Sequence, residues 1–328
     1  MLTNRQIPIS EEIIRILDRE FNGQVRKNVS LADRTTIRVG GTARLYLVPM
    51  DVGVLQRLLH RLRDLAVPVL PLGGGANVVV ADSGVTRAAV ISLVEHIHDI
   101  DEPTISNNRV KVDVDSGVRL SSLLQFCQER GYGGLEFLTG IPGSAGGAVV
   151  MNAGAFGREF SDVLLKVITC DGQGNLQSWA REQLNSGYRR GGIPLGQLVV
   201  GLELQLKPVS PEKIEKQMTE YRQIRRQKQP YGVPSAGSVF KNPPGDYAGR
   251  LIEAAGCSGW RCGRAQVSRK HANFITTEPG ATAADVFALI ARVKEQVRES
   301  FSLVLEEEII RLGDEYLSAW VVGEEELL

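Results

Sequence analysis

The run PSAGSVFKNP, residues 234–243, puts a hydroxyl, a cation and an amide close together. Ser238 follows Ala236 and Gly237, and Lys241 and Asn242 come just after it. Small neighbours let a bound molecule approach the backbone. A lysine and an amide hold an anionic, oxygen-rich group, and the flanking prolines stiffen both ends. The same run also reads as a Gly-Ser turn leading into a surface strand. The rest of the chain has to decide between the two.

Two glycine-rich stretches supply further chemistry. LGGGANVVV, residues 72–80, sets Gly73, Gly74, Gly75, Ala76 and Asn77 between apolar segments. Ordering successive glycines is costly, which makes sense where backbone amides converge on an anion; a tight hairpin is the alternative. No Gly-Lys-Ser/Thr follows, so this is no Walker A loop. A valine-rich strand rather than a helix follows, which excludes a Rossmann fingerprint. TGIPGSAGGAVVMNAG, residues 139–154, spaces Gly140, Gly143, Gly146 and Gly147 so that a backbone can lie flat against a planar group. A helix N-terminus near Gly143 would add a positive dipole end. Pro142 rules out a serine-hydrolase elbow at Ser144. Two such loops around a mixed sheet suggest a large, flat, phosphate-bearing cofactor.

Other candidates are scattered. Tyr188-Arg189-Arg190 can clamp a carboxylate, or be exposed arginines. Glu306, Glu307 and Glu308 sit on an expected strand, where alternation puts Glu307 opposite the other two. His96 and His98 lack a third metal ligand and read as surface residues, so no metal is expected. His271, in RKHANF, is a substrate-site candidate. The four cysteines do not make a zinc pattern and read as free thiols in a reducing compartment.

The elements that must position these groups alternate between helix and strand. Ser10-Glu11-Glu12 opens a helix with Ile13, Ile14 and Leu17 as its stripe. Residues 44–48, 68–71, 78–82, 86–93, 110–114, 163–170, 198–206 and 303–312 read as strands. Residues 51–65, 120–130, 210–228 and 282–299 carry helical spacing. Prolines and a change of pattern at KPVSPEK place a boundary near residue 209. Lysine plus arginine and aspartate plus glutamate both number 38. That balance lacks the basic field of a nucleic-acid binder and gives no reason to expect an anionic membrane as partner. No signal pattern opens the chain and no apolar run approaches a membrane span, so a cytoplasmic protein is expected.

Together these motifs resemble the UDP-N-acetylenolpyruvoylglucosamine reductase family. The residues that carry the resemblance are TTIRVGGTARLYLVP (35–49), the two glycine stretches, Tyr188-Arg189, SAGSVFKNP (235–243) and LEEEI (305–309). The resemblance implies an α+β chain: two α/β subdomains holding FAD in the manner of the vanillyl-alcohol oxidase flavoproteins, then a C-terminal α/β substrate-binding domain. The corresponding boundaries are an N-terminal helical segment at 1–30, the FAD-binding domain at 31–209 (about 31–93 and 94–209), the substrate domain at 210–313 and a tail at 314–328.

The resemblance further implies FAD bound non-covalently, because neither loop holds a histidine or cysteine, with NADPH as co-substrate. Residues 73–77 would cradle the pyrophosphate. Thr139, Gly140, Ile141, Pro142, Gly143, Gly146, Gly147 and Asn152 would complete the cofactor site. Ser238 matches the proton donor to the enolpyruvyl ether of a UDP-sugar. Arg189 and Glu308 match the pair that polarises its carboxylate. Tyr188, Lys228, Lys241, Asn242 and His271 would contact substrate. A monomer is expected. An alcohol or lactone oxidase of the same fold, and a silent nucleotide-sugar sensor, are the alternatives; the Ser238, Arg189 and Glu308 set disfavours both. Two features depart from the family pattern. Arg190-Gly191 follows Arg189 where a polar residue and serine are usual, and Ile310 stands where an arginine is common, with Arg311 next.

Overall fold

A computed structural model of the chain describes residues 8–319. The ends of the expected N-terminal segment and tail, residues 1–7 and 320–328, lie outside the described residues. Helix α1 (Glu11–Glu20) is capped by Ser10, whose Oγ accepts from the Ile13 amide, and α2 (Val52–Asp64) by Asp51 in the same way. Helix α3 (Leu120–Arg130) stops at Gly131, which takes the left-handed conformation that glycine adopts without strain.

The first sheet orders Val25–Ser30, Thr42–Leu47, Val85–Ile91 and Val69–Pro71. Strand Val25–Ser30 falls within the stretch expected to be a helical segment. Leu17 of α1 and Leu55, Leu58 and Leu62 of α2 are buried in one core with Leu45, Ala89 and Ile91 of this sheet. The second sheet runs Leu176–Ala180, Leu164–Cys170, Leu198–Pro208, Arg109–Asp115 and Thr104–Ser106, with Tyr132–Gly133 also paired to Leu198–Pro208. Its core takes in α3, the short α4 (Ala145–Val150), and Ile214 and Met218 of α5 (Pro211–Lys228). Helix α5 therefore begins just beyond the boundary expected near residue 209, yet packs into this second core.

The third unit pairs Ser235–Ser238 with Phe274–Thr277, then Ala265–Val267 and Arg261–Cys262. Helices α6 (Ala248–Ala254) and α7 (Ala283–Phe301) bury Leu251, Leu289 and Val293 into its core. Several contacts lock it to the first unit. The Asp82 carboxylate accepts from the Ala283 and Ala284 amides at the start of α7 (2.8 and 2.9 Å). Thr36 Oγ1 donates to the Ser235 carbonyl at 2.7 Å, and Thr277 Oγ1 to that of Ile37 at 2.6 Å.

The strand expected over 303–312 is shorter in the structure. Only Ile310–Leu312 is strand, paired in parallel with Val78–Val80. Upstream, the Lys241 amide donates to the Glu306 carbonyl and the Glu308 amide to that of Val239 (both 2.8 Å). The segment changes partners between Glu308 and Ile310, so no single ladder runs its length. Among the described residues no helix is long and apolar enough to cross a membrane.

Candidate active site

A cleft of about 570 Å³ opens between the three units. The two glycine loops form part of its lining. A hairpin at residues 72–80 is excluded: Val69–Pro71 pairs with Val85–Ile91, and Val78–Val80 with Ile310–Leu312. The loops meet backbone to backbone. A Cβ at Gly74 would lie 2.5 Å from Gly143 Cα, closer than any side chain permits. Among the described residues, none of the backbone amides of residues 73–77 donates a hydrogen bond within the protein, while the Asn77 side-chain amide donates to the Glu308 carbonyl at 3.0 Å. Successive free amides along a cleft are the chemistry of a phosphate nest. On the second loop, Ser144 caps α4 and the preceding residues Gly140–Gly143 line the cleft. Thr139, also expected in the cofactor site, is buried with its Oγ1 unpartnered and does not line the cleft.

Ser238, Arg189 and Glu308 also line this cleft. Ser238 ends the strand Ser235–Ser238, paired to Phe274, and its hydroxyl has no partner among the described residues. Arg189 rides a turn in which the Gly187 and Arg190 amides exchange hydrogen bonds with each other's carbonyls (2.8 and 3.0 Å), and its own φ is +57°. Its Nε lies 2.6 Å from Glu308 Oε1. Burial pushes the Glu308 carboxyl above the usual carboxylate range, against the pull of Arg189 and Lys241. The alternation expected for the glutamates holds: Glu306 pairs with Lys241, while Glu307 turns away to Lys294 and Arg311.

Several expected site residues stand elsewhere. Asn152 is buried behind the cleft, its Nδ2 donating to Glu159 (2.8 Å) and to the Gly187 carbonyl (3.1 Å), so it supports the turn that carries Arg189. Lys228 is exposed at the end of α5 and does not line the cleft. Lys241 is engaged with Glu306. Asn242 accepts from the Ala248 amide at 3.1 Å, and its own amide donates to the Tyr188 hydroxyl at 3.3 Å, so these two stand together just off the cleft. His271 packs edge-on against Phe274, its Nδ1 without a partner, and burial lowers its pKa. Phe274 reaches the cleft and His271 does not.

The departures from the family pattern have physical reasons. A Cβ at Gly191 would lie 2.0 Å from the Val149 carbonyl oxygen, so this backbone has no room for serine there. Ile310 lines the cleft, whereas Arg311 faces away, bound at 2.8 and 2.9 Å to both oxygens of Glu307 and over the Phe287 ring. His96 and His98 are exposed.

Among the cleft residues that were not singled out from the sequence, one carries a charge. Arg225 of α5 reaches the lining with its Nε buried and unpartnered. Burial, and secondarily the charge of Arg189, lowers its pKa to about 10. In the sequence it is one of several basic residues near a helix C-terminus, where the helix dipole alone accounts for them.

Comparison with known proteins gives a consistent result. The family model described as UDP-N-acetylenolpyruvoylglucosamine reductase, C-terminal domain, matches residues 229–312, and an FAD binding domain model matches residues 43–179. A UDP-N-acetylenolpyruvoylglucosamine reductase of Geobacter metallireducens is 39% identical over 94% of this chain and 100% of its own. One of Anaeromyxobacter dehalogenans is 42% identical over 90% of this chain and 88% of its own. The crystal structure of UDP-N-acetylenolpyruvylglucosamine reductase from Thermus caldophilus superposes with a TM-score of 0.75 at 36% identity, covering 88% of this chain and 100% of that one.

Proposed function

The chain belongs to the UDP-N-acetylenolpyruvoylglucosamine reductase family, and from that premise we propose how its cleft performs the reaction. The reaction is the NADPH-dependent reduction of UDP-N-acetylglucosamine enolpyruvate to UDP-N-acetylmuramate in peptidoglycan synthesis, with FAD as cofactor. FAD, when bound, supplies the hydride carrier between NADPH and the C3 methylene of the enolpyruvyl group. Residues 73–77 and 140–143 hold it.

Hydride arrival at C3 leaves an electron pair at C2, conjugated with the carboxylate. Ser238 gives its hydroxyl proton to C2, completing a saturated lactyl ether. A serine hydroxyl is a weak acid, but a carbanion-like carbon is a strong base, and donor strength need only match the acceptor. Arg189 is permanently charged and binds the substrate carboxylate as negative charge builds there. Glu308 holds Arg189 at the cleft wall. Tyr188 and Asn242, bonded to each other, and Lys241 contact the nucleotide part. The reading also takes the enzyme as a cytoplasmic monomer; its balanced charge supports the absence of nucleic-acid and anionic-membrane partners.

The observation that carries this reading is one cleft bearing a free Ser238 hydroxyl, the Arg189–Glu308 pair and a loop of unsatisfied amides. The purified protein should be yellow, and its NADPH oxidation beyond a single flavin equivalent should require the enolpyruvyl UDP-sugar. Flavin-free protein, or NADPH oxidation indifferent to that sugar, would overturn it.

A further inference from the structure

We propose that Phe156 is a positioning residue that holds the unpaired Arg225 guanidinium on the cleft wall as a ligand for phosphate oxygens. Phe156 and Gly157 close the hairpin between Gly154–Ala155 and Arg158–Glu159, with φ of +54° and +76°. Two central residues of positive φ make the turn type that favours Asn-Gly. A bulky aromatic residue there is an outlier, and such strain persists where the surroundings over-determine it, as they do at functional sites.

The surroundings here are Tyr221 and Arg225, one helical turn apart on α5. The Phe156 and Tyr221 rings stack at 3.9 Å and 16°. The Arg225 guanidinium lies over the Phe156 ring, 5.4 Å from its centroid. Two more contacts fix the arginine. Its Cδ would sit 3.0 Å from a Cβ at Gly140, so the stem packs closely over a residue that has no side chain. Its Nη1 donates to Gln229 at 3.2 Å.

Among the described residues no carboxylate pairs with Arg225, and the charge that acts on it is the like charge of Arg189. A cation withdrawn from water without a counter-ion is costly, and an anion in the cleft relieves that cost. The aromatic ring keeps the guanidinium in place until the anion arrives without satisfying its N–H donors. The phosphate has three possible bearers: FAD, NADPH and the nucleotide sugar.

The inference rests on the proposed function for its ligands, and wild-type turnover tests that reading separately. Phe156→Asn and Phe156→Tyr are compared in the wild-type and Arg225→Met backgrounds. The readouts are FAD retention by the holoenzyme (flavin fluorescence), KM for NADPH and for the nucleotide sugar, and thermal melting. Asparagine suits the turn, so Phe156→Asn should melt no lower than wild type. It should nevertheless weaken one phosphate-bearing ligand roughly 5- to 10-fold, the scale of a partly desolvated cation–π contact. Phe156→Tyr should restore binding, and Phe156→Asn should add nothing once Arg225 is methionine. The ligand that weakens identifies the bearer. Unchanged binding of all three ligands, a loss that Tyr does not restore, or a loss that persists in the Arg225→Met background would overturn the proposal.

Discussion

Arg189 Nε approaches Glu308 Oε1 to 2.6 Å, so the arginine stands in the cleft already paired with a carboxylate of its lining. Nε faces Glu308 and Nη1 donates to the Gly154 carbonyl at 3.3 Å, which leaves Nη2 as the nitrogen without a partner among the described residues. Asn152 sits behind it, bonded to the turn that displays the arginine.

Arg189→Met should therefore slow the half-reaction with the enolpyruvyl substrate by about 10²- to 10³-fold, the range seen when a preorganised charge partner is lost. Flavin reduction by NADPH should stay near wild type. Stopped-flow measurement of both half-reactions checks this. A variant that only lost flavin would make Arg189 a structural residue instead.

Glu308 gives a pH signature. Folding raises its pKa, so the folded state holds the proton more tightly than the unfolded chain does. Its contribution to stability is full below the unfolded carboxylate pKa and is lost as pH rises through the folded value. Glu308→Gln removes that loss. The melting-temperature difference, variant minus wild type, should grow as pH rises through this window and then level off. A difference flat in pH would show that Glu308 ionises as an ordinary carboxylate.

Gly74→Val should yield colourless, folded protein. Its Cβ would meet Gly143 Cα at 2.5 Å and force the two glycine loops apart. Absorbance of bound flavin against circular dichroism separates loss of cofactor from loss of fold; a fully flavinated variant would exclude the loop assignment.

Asp82→Ala should lower stability by about 1–2 kcal/mol, the scale of a lost helix cap. The Asp82 carboxylate serves the first amides of α7 from a different unit of the chain. Urea unfolding measures the loss, which should exceed that of an exposed control such as Glu299→Ala.

Much of this was legible in the sequence because it is local. Ser10 and Gly131 cap helices by their own chemistry, and the valine alternation at 110–114 gives the strand Arg109–Asp115. Other features depend on partners distant in sequence. LVLEEEIIRL reads as one strand, but its two ends bond to different segments, 239–241 and Val78–Val80. Arg225 and Arg226 are neighbours of like type, and only packing turns the first into the cleft and leaves the second exposed. Asn152 belongs to a motif that suggests the cofactor, while its amide is spent on Glu159 and the Gly187 turn. The Ser238 run needed the opposite wall: the glycine loops, Arg189 and Glu308 turn a possible surface turn into part of a cleft.

The most direct test is Ser238→Ala in stopped flow, following flavin absorbance through each half-reaction. Among the described residues the Ser238 hydroxyl makes no hydrogen bond, so the variant should fold, bind FAD and be reduced by NADPH at the wild-type rate. Reoxidation by UDP-N-acetylglucosamine enolpyruvate should fall by about 10²-fold or more, the scale of a missing general acid. Reoxidation at the wild-type rate would show that the proton comes from elsewhere.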